Sequence, residues 1–580
     1  MASLTDIGHW ISENEALLSG IVALVVLTGL VLSPVGKLLL HLLGRRSEKG
    51  AQVALAEVLP EAAGTRKLSP AASTVEDSES SEPLLAVLAF DNLSSDPEMQ
   101  FFSDGVSEEI IQRLSSGAKL RVMARTSSFQ FRGERKAEAA AALDCSHLLD
   151  GSIRRNAGRV RLSAHLVETA SRTTLWSQRY DRDLADIFAV QDELSASIAR
   201  ALDHAFANPS SRNVAPDIYD LYLRASLRSY APDELRERIE MLEEVTRRAP
   251  DFTEAWARLA YIRGWQHFYQ PFAERAATVA RVKEEAGRAL EVDPLNIDAL
   301  AGQLFVVPAF GAFLEGDKIL EQMQRATGWG DGRRYVGWYL RTMGRIQESL
   351  EETERAYRLD SLDPMSTNVL ALARMAAGKV KEAIPLYEDL VERVPDMSFP
   401  VSSLLRAYAF QEDWAAVDRL LAVAEQRQIR EFRDGLPFIR AKRERSAEEI
   451  GAWKASIEQH VAGTGWIDPA RLAYTAHLGL IDEAFELVAN ARLGPAGSSG
   501  DIMGPDGYRT SLLFQAGMPE LRNDPRFPAL CARLGLVEFW LESGKWPDCV
   551  DEVPYDFRAE CERARVIPVE MIGFQGFQTN

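Results

Sequence analysis

Cysteine is scarce in this chain of 580 residues: Cys145, Cys531, Cys549 and Cys561 are all there are. None forms a C-x-x-C pair or stands near histidines at zinc spacing, which leaves out a disulfide framework and a zinc module. An excess of positive charge is also missing. The formal net charge is −19 and the pI is near 5.1, so nucleic acid is not an expected partner. No clustered-glycine phosphate loop, no nucleophile–base pair and no metal-ligand cluster can be recognised. Catalytic, cofactor-binding and metal-binding residues are therefore expected to be none, and the chain is not expected to be an enzyme.

One long apolar run stands out. Ala16 to Gly36, "ALLSGIVALVVLTGLVLSPVG", holds no charged residue. At about 1.5 Å per helical residue it can cross a hydrocarbon core about 30 Å thick. Residues 1–15 carry Asp6, Glu13 and Glu15 but no Lys or Arg, unlike the basic start of a signal peptide. Lys37, Arg45, Arg46 and Lys49 follow the run. The positive-inside rule then places residues 1–15 outside, 16–36 across the membrane and the rest in the cytoplasm. Residues 37–83 are a basic flank and a disordered tether ending in "STVEDSESSEP", with too little apolar surface to offset ordering entropy.

From Leu84 strand and helix patterns alternate, an α/β domain over residues 84–206. "LLAVLAF" reads as a strand buried on both faces. The acid-rich stretch after it, "AFDNLSSDPEMQFFSDGVSEEIIQRLSS" (Ala89 to Ser116), raises the question of a catalytic loop. It has one glycine, no lysine, and acids that would repel a phosphate. Ser95 and Glu98 have capping-box spacing, Pro97 suits a first turn, and Phe102, Val106, Ile110 and Leu114 form a stripe. A helix start is the reading, with Gly105 packed on the sheet and Asp104 and Glu108 facing solvent. "LRVMARTSSF" gives a second strand and Lys136 to Leu143 a helix. "HLLDGSIRR" and "RVRLSAHLVE" pair as a hairpin through "NAG". "TLWSQRYD" gives a further strand, and "DIFAVQDELSASIARAL" a closing helix. Arg154, Arg155, Arg159 and Arg161 are read as solvated charges guarding an edge strand; His147 and His165 are given no role.

"LAVLAFDNLSSDPEMQFFSDGVSEEI", "LRVMARTSSFQFRG", "LLDGSIRRNAGRVRLSAHLVE" and "LWSQRYDRDLADIFAVQDEL" together resemble a bacterial module related to the amino-terminal domain of the translocation protein TolB. Such modules precede tetratricopeptide repeats, and often follow a class III adenylate cyclase or winged-helix domain. Neither has a counterpart before Leu84 here. The resemblance implies a bacterial protein, so the span at 16–36 is expected to make it a single-pass protein of the inner membrane.

From about Asp217 the pattern is helical, a tetratricopeptide solenoid over residues 215–530. "GRIQESLEETERAYRLD" and "GKVKEAIPLYEDLVERVP" align with Gly344 on Gly378, Ser349 on Ala383 and Thr353 on Tyr387, the 34-residue tetratricopeptide offset. A further step reaches Glu412, Val417 and Leu421. Trp256, Leu259, Ala260, Ala286, Leu290 and Pro294 mark an earlier unit, and "LGLIDEAFEL" a later one. The register loosens at Trp329–Arg334 and Gly494–Gly507, read as long turns. Residues 531–580 are a capping segment, with Leu534, Trp540 and Trp546 available to cover the open end of the array. A Cys549–Cys561 disulfide is sensible only on a periplasmic side.

The expected function is a membrane-anchored, non-catalytic scaffold holding protein partners on its repeats, the acidic balance favouring partners with basic stretches. Any small-molecule ligand is unknown. The alternative is a signalling or regulatory protein linked to cyclic-nucleotide or transcriptional control through partner domains.

Overall fold

The computed structural model describes residues 83–96, 99–117, 120–156, 158–202, 214–226, 232–270, 272–326, 330–395, 399–427, 429, 435–494 and 510–569. The expected membrane helix at 16–36, the tether up to Glu82, Pro97 and Glu98 of the capping box, and the Gly-rich stretch 495–507 lie outside these residues. Among the described residues no helix is long and apolar enough to cross a membrane. Asp77–Val417 and Ile429–Asn580 fall in one compact unit, and Asp418–Gln428 is assigned outside it. That unit holds the sheet and most of the helices.

The amino-terminal part of this unit is an α/β sandwich. Its strands are β1 (Leu84–Val87), β2 (Asp91–Asn92), β3 (Arg121–Val122), β4 (His147–Asn156), β5 (Arg159–Glu168) and β6 (Thr173–Asp183). The sheet runs β3-β1-β4-β5-β6, with β2 also on β4. The pairs of β1 with β3 and β4 and of β2 with β4 are parallel; β4–β5 and β5–β6 are antiparallel. The hairpin thus forms as its alternation dictates: Val160, Leu162, Ala164 and Leu166 are buried, while Arg161, Ser163 and His165 point outward. Helices α1 (Gln100–Gly117) and α4 (Ile187–Ala201) bring the buried Phe102, Val106, Ile110, Leu114, Leu194 and Ile198 into the core.

Several local readings change. The second strand stops after two residues, because Arg125–Ser128 turns into the short helix α2. The helix expected from Lys136 is split, a 3-10 turn over Gly133–Glu138 followed by α3 (Ala139–Leu143). Arg154, Arg155, Arg159 and Arg161 guard no edge, since β4 and β5 are inner strands and β6 is the edge. Arg159 and Arg161 instead grip Asp181 across the β5–β6 pair at 2.9 and 2.6 Å. Arg155 binds Asp220 at 2.6 Å and lies 5.1 Å over the Phe102 ring.

The remainder is a helical repeat. Helices pair in sequence: α5 (Pro216–Ala225) with α6 (Pro232–Arg248), α7 (Thr253–Tyr269) with α8 (Phe272–Val292), and α9 (Ile297–Phe305) with α10 (Phe313–Arg325). Then come α11 (Gly330–Leu340) with α12 (Ile346–Leu359) and α13 (Pro364–Ala376) with α14 (Val380–Arg393), followed along the chain by α15 (Phe399–Phe410) and α16 (Trp414–Gln426). The last are α17 (Leu436–Glu444) with α18 (Ala447–Thr464) and α19 (Pro469–His477) with α20 (Ile481–Asn490). Second helices from α12 on begin at Ile346, Val380, Trp414, Ala447 and Ile481, in steps of 34, 34, 33 and 34 residues.

The turn inside each pair repeats with the same steps. Gly344, Gly378, Glu412, Arg445 and Gly479 all have left-handed backbone, with φ of 81°, 77°, 56°, 50° and 88°. At four of these turns the next N–H bonds back to a carbonyl near the end of the first helix: Arg345 to Leu340, Lys379 to Arg374, Asp413 to Tyr408 and Leu480 to Thr475. This is the Schellman closure of a helix end, which favours glycine at the left-handed position. Two first helices, α13 and α19, start on acid caps followed by proline, Asp363–Pro364 and Asp468–Pro469. The expected turn at Trp329–Arg334 is corrected: from Gly330 the chain is already helix α11.

The carboxyl-terminal segment is not confined to the open end. It contains α21 (Phe527–Arg533), α22 (Leu536–Ser543) and α23 (Phe557–Ala564), and the boundary drawn at 530/531 runs through α21. Gly311 N donates to Leu534 O at 2.9 Å, Trp540 Nε1 to Met343 O at 3.1 Å, Asp548 N to Gly344 O at 3.0 Å and Ala516 N to Ala376 O at 2.8 Å. Arg533 binds the Val488 and Ala491 carbonyls of the last pair. Carbonyls at helix ends have no partner within the helix; this segment supplies donors at the ends of α11, α13 and α20, and at Leu534 it supplies an acceptor to Gly311 N.

Candidate functional site

Asp104 and Glu108 do not face solvent; they are 8% and 6% exposed. The reason is that α5, the first array helix, packs on α1, and Arg258 of α7 and Arg132 reach its acids. Glu108 lies 3.4 Å from Arg125 and 3.5 Å from Arg258, whose Nε is 2.9 Å from Asp298. Tyr222 on α5 donates its hydroxyl to Glu109 Oε1 at 2.9 Å. Burial first, and then the Glu109 carboxylate, push the Tyr222 phenol well above its usual pKa. Asp104 accepts both guanidinium nitrogens of Arg132 at 2.8 Å.

Gly105 belongs to the same joint. A Cβ there would stand 2.5 Å from Leu223 Cδ2 on α5, so the close neighbour is the array and not the sheet. Farther along, Ser127 on α2 donates its N–H and hydroxyl to Asp360 Oδ1 at 3.0 and 2.7 Å. Ser127 Oγ accepts from Leu362 N at 3.0 Å, and Ala124 N donates to Leu359 O at 2.9 Å. The α/β domain is thus seated on the loops between helix pairs, and does not hang free of the array. No sequence motif marks Arg258, Asp298, Tyr222, Ser127 and Asp360 as a joint. The available signal is Arg258 and Arg263, two arginines in the otherwise apolar "AWARLAYIRGW": a buried arginine needs a partner.

The first helices of the array are largely filled in. From Gly332 to Met343 every residue is buried apart from the half-buried Arg333, and Ser366 to Ala373 are all buried. Phe305 is the hub of an aromatic cluster, with ring centroids 5.8 Å from Tyr261, 5.2 Å from Trp265, 5.7 Å from Phe268 and 5.0 Å from Tyr335. The exposed surface lies on second helices: Gln347, Glu348, Glu351 and Arg358 on α12, and Lys381, Glu382, Pro385 and Glu392 on α14.

Remaining reactive groups are dispersed. His147 Nδ1 is 2.9 Å from Ser146 Oγ, and burial lowers its pKa. His165 is 4.0 Å from Asp150. All four cysteines are free and buried, Cys549 and Cys561 included. Burial pushes the Cys145 thiol up to about 11 and those of Cys549 and Cys561 to about 12, opposite to what a reactive thiolate requires. Among the described residues no group of three or more His, Cys, Asp and Glu is placed to hold a metal ion.

No family model matches the chain. Over 192 residues it is 38% identical to the protein named "Putative adenylate cyclase 3" of Rhizobium meliloti (strain 1021), covering 31% of this chain and 32% of that protein. The chain therefore spans about a third of that relative's length. Among solved structures, YrrB, described as a TPR protein with an unusual peptide-binding site, aligns at 17% identity over 32% of this chain and 93% of its own, with a TM-score of 0.25. The human IFIT1 dimer with m7Gppp-AAAA aligns at 14% identity over 52% and 76%, with a TM-score of 0.34. The assignment as a helical repeat of tetratricopeptide length rests on the 34-residue steps themselves.

Proposed function

We propose that this chain is a non-catalytic scaffold of the bacterial inner membrane, anchored by residues 16–36 with the following domains in the cytoplasm, that holds protein partners on its repeats. The recurrence of the helix-pair turn from Gly344 to Gly479 carries the reading, because repeat arrays present long surfaces built from neighbouring units. With the first helices filled in, the partner-facing residues are those exposed on second helices such as α12 and α14. The α/β domain, which resembles the TolB amino-terminal module, sets the attitude of the array through the Glu108–Arg258 and Ser127–Asp360 joints. Nucleic acid is not a proposed partner, given the charge of −19.

A second reading is signalling linked to cyclic nucleotides, favoured by the 38% identity to a putative adenylate cyclase. Two experiments separate the readings. Purified full-length chain given ATP with Mg²⁺ or Mn²⁺ is expected to form no cyclic AMP; turnover would overturn the non-catalytic reading. Crosslinkers placed at Glu351 and Lys381 in bacterial membranes are expected to trap a protein. That yield should collapse in Ala383→Trp, since Ala383 is fully buried between repeat helices and overpacking there costs about 1–3 kcal/mol. Undiminished trapping in that variant would move the partner surface away from the array.

A further inference from the structure

Strand β6 ends the sheet, and among the described residues no strand lies beyond it. It is 11 residues long and mostly exposed, with Tyr180 its one buried residue. An open edge offers its N–H and C=O groups to another chain, and lysine, proline or a bulge usually guards it. β6 contains neither lysine nor proline. Its register slips where Leu175 stands between the pairs Val167–Thr174 and Leu166–Trp176, which leaves Trp176 to Asp183 regular.

Leu184 N donates across to Gly158 O, beside β5, at 2.7 Å. Backbone groups alternate in direction along a strand, so those of Arg182 and Tyr180 also turn to β5. The N–H and C=O groups of Ser177, Arg179, Asp181 and Asp183 therefore line the open edge, with their side chains on one face. Arg159 Nη2 and Arg182 Nη1 reach the Asp181 carbonyl at 3.5 and 3.3 Å, and among the described residues no backbone group meets this row. Charge selects how a second copy can pair antiparallel with it. With Arg179 or Asp181 on the two-fold axis, like charges face each other, which is unfavourable. With Arg182 there, Asp181 faces Asp183; with Gln178 there, Asp181 faces Leu175 in the irregular stretch. With Tyr180 on the axis, Arg179 of each copy faces Asp181 of the other, and Ser177 faces Asp183.

We propose that two copies of this chain join through β6 in that last register, making one continuous sheet across a dimer. The mixed signs along the row match a second β6 better than a strand carrying charge of one sign. The Asp181 side chain is 38% exposed while it holds Arg159 and Arg161, and a carboxylate has acceptor sites left for Arg179 of the second copy. Gln178 and Arg182, both exposed, face each other on the opposite side of the sheet. The row is short, so the dimer is reversible. It goes beyond the scaffold reading: two arrays come together, and a partner with two contact sites is held by both.

Sedimentation of the full-length chain in detergent, over about 1–100 μM, is expected to show a monomer–dimer equilibrium. Arg179→Asp sets two acid pairs in place of two ion pairs, and the dissociation constant should rise about tenfold or more. Arg179→Pro removes an outward N–H, a change that edge strands tolerate, and should weaken the dimer while the melting temperature stays near native. Mixed Ser177→Cys and Asp183→Cys chains should be joined to each other by a short thiol crosslinker, and neither to itself; the native cysteines are all buried. A native chain that stays monomeric throughout would overturn the proposal, as would a dimer that Arg179→Asp does not weaken. Crosslinking of Ser177→Cys chains to one another, in place of the mixed product, would overturn the register and the charge argument with it.

Discussion

Removing Glu108 probes the seat of the α/β domain on the array. Its carboxylate is 6% exposed and touches Arg125 at 3.4 Å and Arg258 at 3.5 Å. In Glu108→Ala the Arg258 guanidinium keeps Asp298 at 2.9 Å, so no cation is stranded. The loss is that of charge-assisted contacts, about 1.5–3 kcal/mol, toward the lower end because both distances are long. Arg258→Ala is the harsher change. It leaves Glu108 and Asp298 without the guanidinium between them, and breaking such a buried pair costs about 3–5 kcal/mol. The double variant should cost less than the sum, with a coupling of about 0.5–3 kcal/mol. A chain of this size is not expected to unfold in one step. Denaturant unfolding is therefore read from one label in the β4–β5 hairpin and another in α13, and both midpoints should shift. A Glu108→Ala chain within about 0.5 kcal/mol of native, the surface-site value, would refute the reasoning.

Gly105→Leu should drive a branched side chain into Leu223, 2.5 Å from the Cβ position, costing about 1–3 kcal/mol; a native melting temperature would show that α1 and α5 do not pack there. Glu412 holds a left-handed turn where its equivalents Gly344 and Gly378 are glycine. Glu412→Gly should therefore stabilise by about 0.5–1 kcal/mol and Glu412→Ala should not; equal stabilities in denaturant would contradict this. Cys145 ionises near 11 when folded against 9.0 for the free thiol. The unfolded chain loses that proton first, so the stability it contributes is full below about pH 9 and lost as pH rises from about 9 to 11. Cys145→Ala should flatten the fall over that window, and an unchanged slope would refute the assignment.

The features legible in the sequence are those that local periodicity records. The stripe Phe102–Val106–Ile110–Leu114, the β4–β5 hairpin and the 34-residue step depend on neighbours three to four, two or one repeat apart. The joint could not be read this way. Ser127 and Asp360 are 233 residues apart, and Trp540 and Met343 are 197 apart, and no spacing rule links such positions. Asp104 and Glu108 look solvated in the sequence because acids on a helix usually are. Arg132 and Arg258, which make their burial tolerable, come from elsewhere in the chain. Arg445 shows the opposite case: no glycine marks its left-handed turn, so the unit it closes is invisible to a search for Gly344 and Gly378 equivalents.

Hydrogen exchange under conditions where opening is slower than labelling tests most directly whether the α/β domain and the array form one body. Peptides covering Leu149–Ile153 of β4 and Leu370–Ala373 of α13, most of whose residues are buried, are expected to open in the same correlated step. Glu108→Ala should advance both together. If α13 opened while β4 kept full protection, the Glu108–Arg258 and Ser127–Asp360 contacts would not couple the two, and the acids of α1 would need another explanation.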